Sequence, residues 1–154
     1  QTVNAAGATI FGYVDLWTSS YGDLYNVVFP AQNGAYAEIT LTPDPGYEVS
    51  LISFDAGGWP NVNRNEQLKV LAGGSVALDY GNVVFPGSGH STYSPNLTSS
   101  SPITIWFGSD WDGGIDNIVF AQSRIQTGVP DAGAACGLLG LGLAALGLAR
   151  RKLS

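Results

Sequence analysis

The 154-residue sequence has no methionine, one histidine and one cysteine, Cys136. A disulfide within the chain is therefore excluded, and so is a zinc site built from several cysteine and histidine ligands. Since Gln1 stands where an initiator methionine would, we expect it to be a mature N-terminus left by a signal peptidase. An exported domain without disulfides must be stabilised by its hydrophobic core, with bound calcium or assembly as further sources of stability.

Basic side chains are also scarce. Residues 1–128 carry eleven acidic side chains against three basic ones, Arg64, Lys69 and Arg124, which is a net charge near −8. Such a surface argues against nucleic acid and anionic membranes as partners. Only 12% of the chain is charged, and glycine is abundant. This composition is typical of an extracellular β-protein with many turns rather than of a cytosolic enzyme.

No segment before Ala132 has the 3.6-residue period of an amphipathic helix. Short runs rich in β-branched and aromatic residues occur instead, beginning with 8–16 and 24–29. Residues 35–42 alternate strictly between apolar and polar, and together with 47–54 they predict a β-hairpin. A second hairpin is predicted around Gly73-Gly74, and 55–64 is predicted to be a long loop.

Eight to ten such strands predict an all-β fold: an antiparallel, jelly-roll-like β-sandwich over residues 1–122, with a linker at 123–128. The remaining residues, 129–154, form a different kind of segment. Eighteen apolar residues from Ala132 to Ala149 are followed by Arg150, Arg151 and Lys152. As a helix, residues 132–149 would be about 27 Å long, enough to cross a hydrocarbon core, and the basic triplet matches a stop-transfer signal.

The motif before this run is Val129-Pro130-Asp131-Ala132-Gly133. With the Leu/Gly/Ala run and the basic end Arg150-Arg151-Lys152, it resembles the PEP-CTERM class of bacterial sorting signals, in the variant that reads Val-Pro-Asp-x-Gly. The resemblance implies export, membrane retention and recognition by an exosortase, a membrane transpeptidase that cuts near Pro-Asp. A plain single-span anchor or a buried core helix are the alternatives, although the run lacks the polar stripe of a core helix.

Small residues in the apolar run allow a further interpretation. Gly133 and Gly137 are spaced as small-xxx-small, and so are Gly140 and Ala144. This spacing lets two helices approach closely in a membrane. A retained tail would therefore pack against the tails of neighbouring copies.

The domain before the tail carries a looser resemblance. The Thr/Pro hairpin, the Gly-Gly-Trp loop and the closing Ile115-Asp116-Asn117-Ile118 strand resemble the β-sandwich domains found before such tails. They are also similar to galactose-binding-like jelly rolls. That resemblance implies a fold in which some members bind sugars or a structural calcium ion.

Asp110, Asp112 and Asp116 are the densest group of carboxylates, and Gly113-Gly114 lies between them. Oxygen ligands from such a loop suit Ca²⁺, so calcium is the expected cofactor if there is one. Asp23, Asp55 and Asp79 would complete the site only if the fold brought them close. The alternative is a turn in which Asp and Gly serve backbone geometry alone.

Trp59 and Trp111 lie beside glycines in predicted loops, where an indole face is free to stack on a sugar ring. They would otherwise cap the core or lie in a subunit contact. Trp17 and Trp106 are expected in the core. His90 lies in a loop without a nucleophile motif, so the chain is predicted not to be an enzyme.

Two hypotheses follow. The first is an exported structural protein of a bacterial cell surface, matrix or fibre, which associates with itself through the sandwich and the C-terminal helix. Edge strands with few lysines favour this interpretation. The second is a surface-anchored carbohydrate-binding module that contacts an extracellular polysaccharide through Trp59 and Trp111.

Overall fold

The structure is a computed structural model that describes the backbone of residues 8–11 and all atoms of residues 14–126. The predicted sorting motif, apolar helix and basic end lie outside the described residues. Eleven strands are present in the described part, β1 (Ala8–Phe11), β2 (Val14–Trp17), β3 (Val27–Pro30), β4 (Tyr36–Leu41), β5 (Tyr47–Gly58), β6 (Arg64–Ala72), β7 (Ser75–Phe85), β8 (Ser91–Tyr93), β9 (Leu97–Ser99), β10 (Ile103–Gly108) and β11 (Gly113–Arg124).

The strands form two antiparallel sheets that face each other. Sheet A has the order β1-β4-β10-β6-β7, and sheet B has the order β2-β3-β11-β5-β8, with β9 also paired to β5. The predicted β-sandwich is thus confirmed. The described residues contain no helix long and apolar enough to cross a membrane.

The core lies between the sheets and consists of alternate residues of the central strands. Ile39 and Leu41 of β4, Ile105 and Phe107 of β10, and Leu51 of β5 are almost inaccessible to solvent. Their i, i+2 spacing places them on one face of each strand. The alternation read from the sequence therefore identifies the inner face correctly.

One predicted hairpin is confirmed and the other is wrong. β6 and β7 pair through Ala72↔Ser75, and the turn residues Gly73 and Gly74 have φ of 56° and 80°. Positive φ at both positions is what a two-residue hairpin turn of type I′ requires. By contrast, β4 lies in sheet A and β5 in sheet B. The segment between them crosses from one sheet to the other, so these strands share a core but exchange no ladder hydrogen bonds.

Strand limits also differ from the prediction. The predicted first strand, 8–16, is two strands in different sheets. β5 continues through Gly58, into the predicted loop, and β11 runs to Arg124, two residues beyond the predicted end of the domain. Ile125 N still donates a hydrogen bond to Gly46 O at 2.9 Å. Ile125 thus still contacts the sandwich, at the end where β11 finishes.

Candidate functional site

Two pairs of glycines face each other where β5 ends and β11 begins. Gly57 pairs with Gly114, and Gly58 pairs with Gly113. Because neighbouring Ala56 and Ile115 point into the core, Gly57 and Gly114 face outward. A Cβ at Gly114 would overlap the side chain of Val27, and one at Gly57 would lie 2.5 Å from Tyr21 O. Because these glycines have no side chains, the turn formed by residues 21–24, just before β3, can lie directly on sheet B.

That turn contributes a small second core on the outer side of sheet B. Tyr21, Leu24, Val27 and Phe29 are all buried, and Trp59 packs against them. The rings of Tyr21 and Phe29 have centroids 5.8 Å apart. This cluster supports an aromatic surface at one end of the sandwich.

The aromatic surface encloses a pocket of about 110 Å³, lined by Trp17, Tyr21, Phe29, Trp59 and Trp111. We call it the aromatic pocket. Trp17 is 50% exposed and Trp111 is 47% exposed, whereas Tyr21 is 2% exposed. The rings of Trp59 and Trp111 are inclined at 45°, with centroids 5.7 Å apart. Buried rings thus form the base of the pocket, and partly exposed indoles form its mouth.

The structure therefore brings the two predicted contact residues, Trp59 and Trp111, into one pocket. The prediction that Trp17 and Trp106 belong to the core was wrong. Trp17 borders the aromatic pocket, because β2 is the edge strand of sheet B. Trp106 is half-buried on the outer face of sheet A, where its ring stacks on Tyr36 with centroids 4.1 Å apart.

Polar contacts hold the two tryptophan loops together. Arg64 Nη1 lies 2.8 Å from Asp112 Oδ2, and Arg64 Nε donates to Trp59 O at 2.6 Å. Trp59 N donates to Asp112 O at 2.7 Å. The Tyr21 hydroxyl donates to Trp111 O at 2.6 Å. Each tryptophan is thus attached through its own backbone to a residue of another element.

A buried carboxyl group lies behind these loops. Glu66 is 2% exposed, and Ser109 Oγ donates to its Oε2 at 3.1 Å. Burial, with the nearby charges of Asp110 and Asp112, raises the pKa of Glu66 to about 7, although Ser109 and Arg64 act in the opposite direction. Burial also raises the pKa of Asp112, and Arg64 opposes that shift.

The predicted calcium ligands have other partners in the structure. Asp112 is paired with Arg64, while Asp110 Oδ1 and Asp116 Oδ1 accept hydrogen bonds from the backbone N–H of Trp111 and Asn117. Over residues 14–126, no three His, Cys, Asp or Glu side chains are grouped so that they could hold a metal ion. Calcium binding at these positions stays a prediction.

A separate polar cluster lies on the outer face of sheet B around His90. His90 Nδ1 is 2.8 Å from Asp23 Oδ1, and Asp55 accepts hydrogen bonds from Thr92 at 2.6 Å and Asn117 at 2.9 Å. The hydrogen bond to Asp23 raises the pKa of His90. Asp79 is elsewhere, 3.8 Å from Lys69. The side chains of this cluster therefore form hydrogen bonds with one another.

Sequence reasoning missed several residues of the site, above all Tyr21, Phe29, Arg64 and Glu66. One signal was available, because Trp59 directly follows the Gly-Gly pair at 57–58 and Trp111 lies two residues before the pair at 113–114. Glycine in a strand often marks close backbone approach. That signal indicates contact with another segment but does not identify it.

Comparison with protein families identifies the C-terminal segment. Residues 128–153 match the VPDSG-CTERM motif. The match confirms the predicted PEP-CTERM-type sorting tail. A comparison with curated protein sequences finds no match.

Comparison with solved structures matches, among others, two family 35 carbohydrate-binding modules. The module from Paenibacillus barcinonensis is 13% identical, with a TM-score of 0.48, 77% of this chain and 94% of that chain covered. The module from Clostridium thermocellum is 17% identical, with a TM-score of 0.47 and coverage of 75% and 89%. A GH26-CBM35 β-(1,4)-mannanase from Podospora anserina is 15% identical, with a TM-score of 0.44, 79% of this chain and only 29% of that chain covered.

Proposed function

We propose that the chain is an exported, non-catalytic module that binds a neutral carbohydrate at the bacterial cell surface. The aromatic pocket is the observation that carries this proposal. Its five aromatic side chains offer indole and phenyl faces of the kind against which the apolar C–H face of a sugar ring packs. Trp17 and Trp111 are half exposed, so a ligand has access to them from solvent.

The size of the pocket limits the part of the ligand that enters it. About 110 Å³ is well below the roughly 300–1,000 Å³ of a site for a drug-sized molecule. We therefore expect one sugar residue, or the apolar part of one, to enter the pocket. Further units of a polysaccharide would lie along the exposed faces of Trp17 and Trp111.

Charge favours a neutral glycan over an acidic one. The 128 residues before the tail have a net charge near −8, which repels polyanions. The cation beside the pocket, Arg64, is already paired with Asp112. An anionic sugar would have to compete with that carboxylate for the guanidinium.

The tail supports a surface location. A sorting motif of the PEP-CTERM type implies export and processing by an exosortase-type enzyme, with retention at the membrane before or instead of cleavage. An 18-residue apolar run followed by three basic residues is physically suited to that retention. The proposed module is therefore displayed on the cell or released into its matrix.

Titration of the chain ending at Gly128 with neutral β-linked gluco-, manno- and galacto-oligosaccharides tests the proposal. We expect a saturable change in tryptophan fluorescence with at least one of them. Trp59→Ala and Trp111→Ala should each weaken binding about five- to thirtyfold, since each removes a stacking face worth roughly 1–2 kcal/mol.

Trp106→Ala is the matched control, because it removes an indole on the outer face of sheet A and should leave the affinity unchanged. Binding that survives both pocket substitutions, or no binding to any of the oligosaccharides, would refute the proposal. Repeating the titrations with calcium and with a chelator tests whether Asp110, Asp112 and Asp116 hold an ion that the site requires.

Self-association remains the rival proposal. Catalysis is not part of either proposal. The pKa of Glu66 is raised to about 7, but at 2% exposure this carboxyl group offers a substrate little access.

A further inference from the structure

The two tryptophans of the aromatic pocket come from different loops that meet through one arginine. Trp59 follows β5, and Trp111 precedes β11. Arg64, at the start of β6, donates from Nε to the Trp59 carbonyl and from Nη1 to the Asp112 carboxylate, at 2.6 Å and 2.8 Å. A single guanidinium group thus contacts the backbone of one tryptophan and the residue next to the other.

The surroundings of Arg64 fix its geometry. A Cβ at Gly58 would lie 3.1 Å from Arg64 Cγ, so the side-chain stem passes directly over that glycine. The side chain of Asp112 is only 13% exposed, which limits competition from water for the ion pair. Trp59 N also donates to Asp112 O at 2.7 Å, so the same two loops have a second connection beside the arginine.

We infer that Arg64 is a positioning residue, which fixes the distance and angle between Trp59 and Trp111 and thereby the shape of the aromatic pocket. The inference rests on the proposed function for its consequence, since a pocket of fixed shape matters only if a sugar enters it. Arg64 itself need not touch the sugar, because its Nε and one terminal nitrogen are directed to the protein.

Lysine should replace arginine only in part. An ammonium group is a single point of charge, whereas a guanidinium presents donors in a planar fork that serve two acceptors at once. Arg64→Lys therefore keeps a cation that can pair with Asp112 but loses the contact with one of the two loops. Arg64→Gln loses the ion pair as well.

A spectroscopic signal reports the ring arrangement without a ligand. Two indoles held 5.7 Å apart at 45° couple their electronic transitions and give two far-ultraviolet circular dichroism bands of opposite sign. Trp59→Phe identifies that signal by removing it. It also separates the signal from any contribution of Trp106 and Tyr36.

The experiment records circular dichroism, thermal unfolding and oligosaccharide affinity for the wild type, Arg64→Gln and Arg64→Lys. We expect both variants to unfold cooperatively. Arg64→Gln should lose most of the Trp59–Trp111 signal, with affinity about tenfold lower, which corresponds to about 1.4 kcal/mol, and Arg64→Lys should lose part of both. Arg124→Gln is the matched control. It removes an arginine at the opposite end of β11, near the Tyr47 ring, and should change neither signal nor affinity.

The outcomes separate the two claims. A folded Arg64→Lys variant that retains both the dichroism signal and the affinity overturns the inference, even if Arg64→Gln fails to fold. If the signal depends on Arg64 but the wild type binds no oligosaccharide, the positioning role stands and the proposed function fails. If the wild type binds and the signal is independent of Arg64, the proposed function stands and the inference fails.

Discussion

Glu66 occupies a position that the strand pattern assigns to the core. On β6 it precedes Leu68 and Val70 by two and four residues, and all three side chains point to the inner face. The alternation of the strand alone would place an apolar residue there. A carboxyl group at this depth binds a proton more tightly than in the unfolded chain, and its pKa is about 7.

This shift predicts a pH dependence of stability. Because the folded-state pKa of Glu66 is raised, the native state binds more protons than the unfolded state between about pH 4.5 and 7, and stability falls as the pH rises through that range. Glu66→Gln removes the effect. We expect the variant to gain about 3 kcal/mol relative to the wild type between pH 4.5 and 8, since the shift of the Glu66 pKa from 4.5 to about 7 corresponds to roughly 1.4 kcal/mol per unit.

Urea unfolding at several pH values measures this difference. Glu48→Gln, which removes a carboxylate from the far end of β5, controls for the change in net charge. A stability difference between Glu66→Gln and the wild type that does not vary with pH would show that the proton on Glu66 does not contribute.

Among the elements, the paired ends of β5 and β11 decide whether the pocket exists. The glycines at 57 and 114 allow the Tyr21–Leu24 turn to contact sheet B, and the Tyr21 hydroxyl then bonds to Trp111 O at 2.6 Å. Gly114→Ala should displace Tyr21 and Val27, at a cost of about 1–3 kcal/mol for overpacking. It should also weaken oligosaccharide binding, because Tyr21 lines the pocket.

Gly34→Ala is a matched control for this substitution. It has open space around the added methyl group but a φ of 75°, so it should cost stability through backbone strain without affecting the pocket. Thermal unfolding and oligosaccharide titration of both variants separate the two effects. Equal affinity in Gly114→Ala and the wild type would mean that the turn does not support the pocket.

The same elements show what the sequence could predict. Local signals were sufficient where the structure is local, as at the β6–β7 hairpin, whose Gly73-Gly74 turn determines its own register. Local signals failed for β4 and β5. Two strands joined by a hairpin and two strands in opposite sheets show the same alternation of apolar and polar residues. Trp59 and Trp111, chosen because glycines are nearby, do lie in one pocket, and their contact with a sugar stays a prediction. Their partner Arg64 was missed, since an ion pair with Asp112, 48 positions away in sequence, leaves no local pattern.

At the scale of the whole molecule, β11 joins the two features that carry the proposal. Trp111 lies just before its first residue, and the chain toward the sorting tail leaves after its last, Arg124. Twelve strand residues span about 36–40 Å. The aromatic pocket and Arg124 are therefore at opposite ends of β11, and the sorting tail follows Arg124 in the sequence.

Light-scattering mass of the full chain and of a version ending at Gly128 tests self-association. We expect the shorter version to be a monomer, because its net charge near −8 opposes association and the β6–β7 ladder is interrupted by irregularities that distort the β7 edge. Defined oligomers of the shorter version would instead favour a scaffold built from sandwich contacts. Oligomers formed by the full chain alone would assign assembly to the tail, where Gly133, Gly137, Gly140 and Ala144 provide the small-residue spacing for helix packing. In that case Gly137→Leu should dissociate them, while Leu138→Ala, which keeps the spacing, should not.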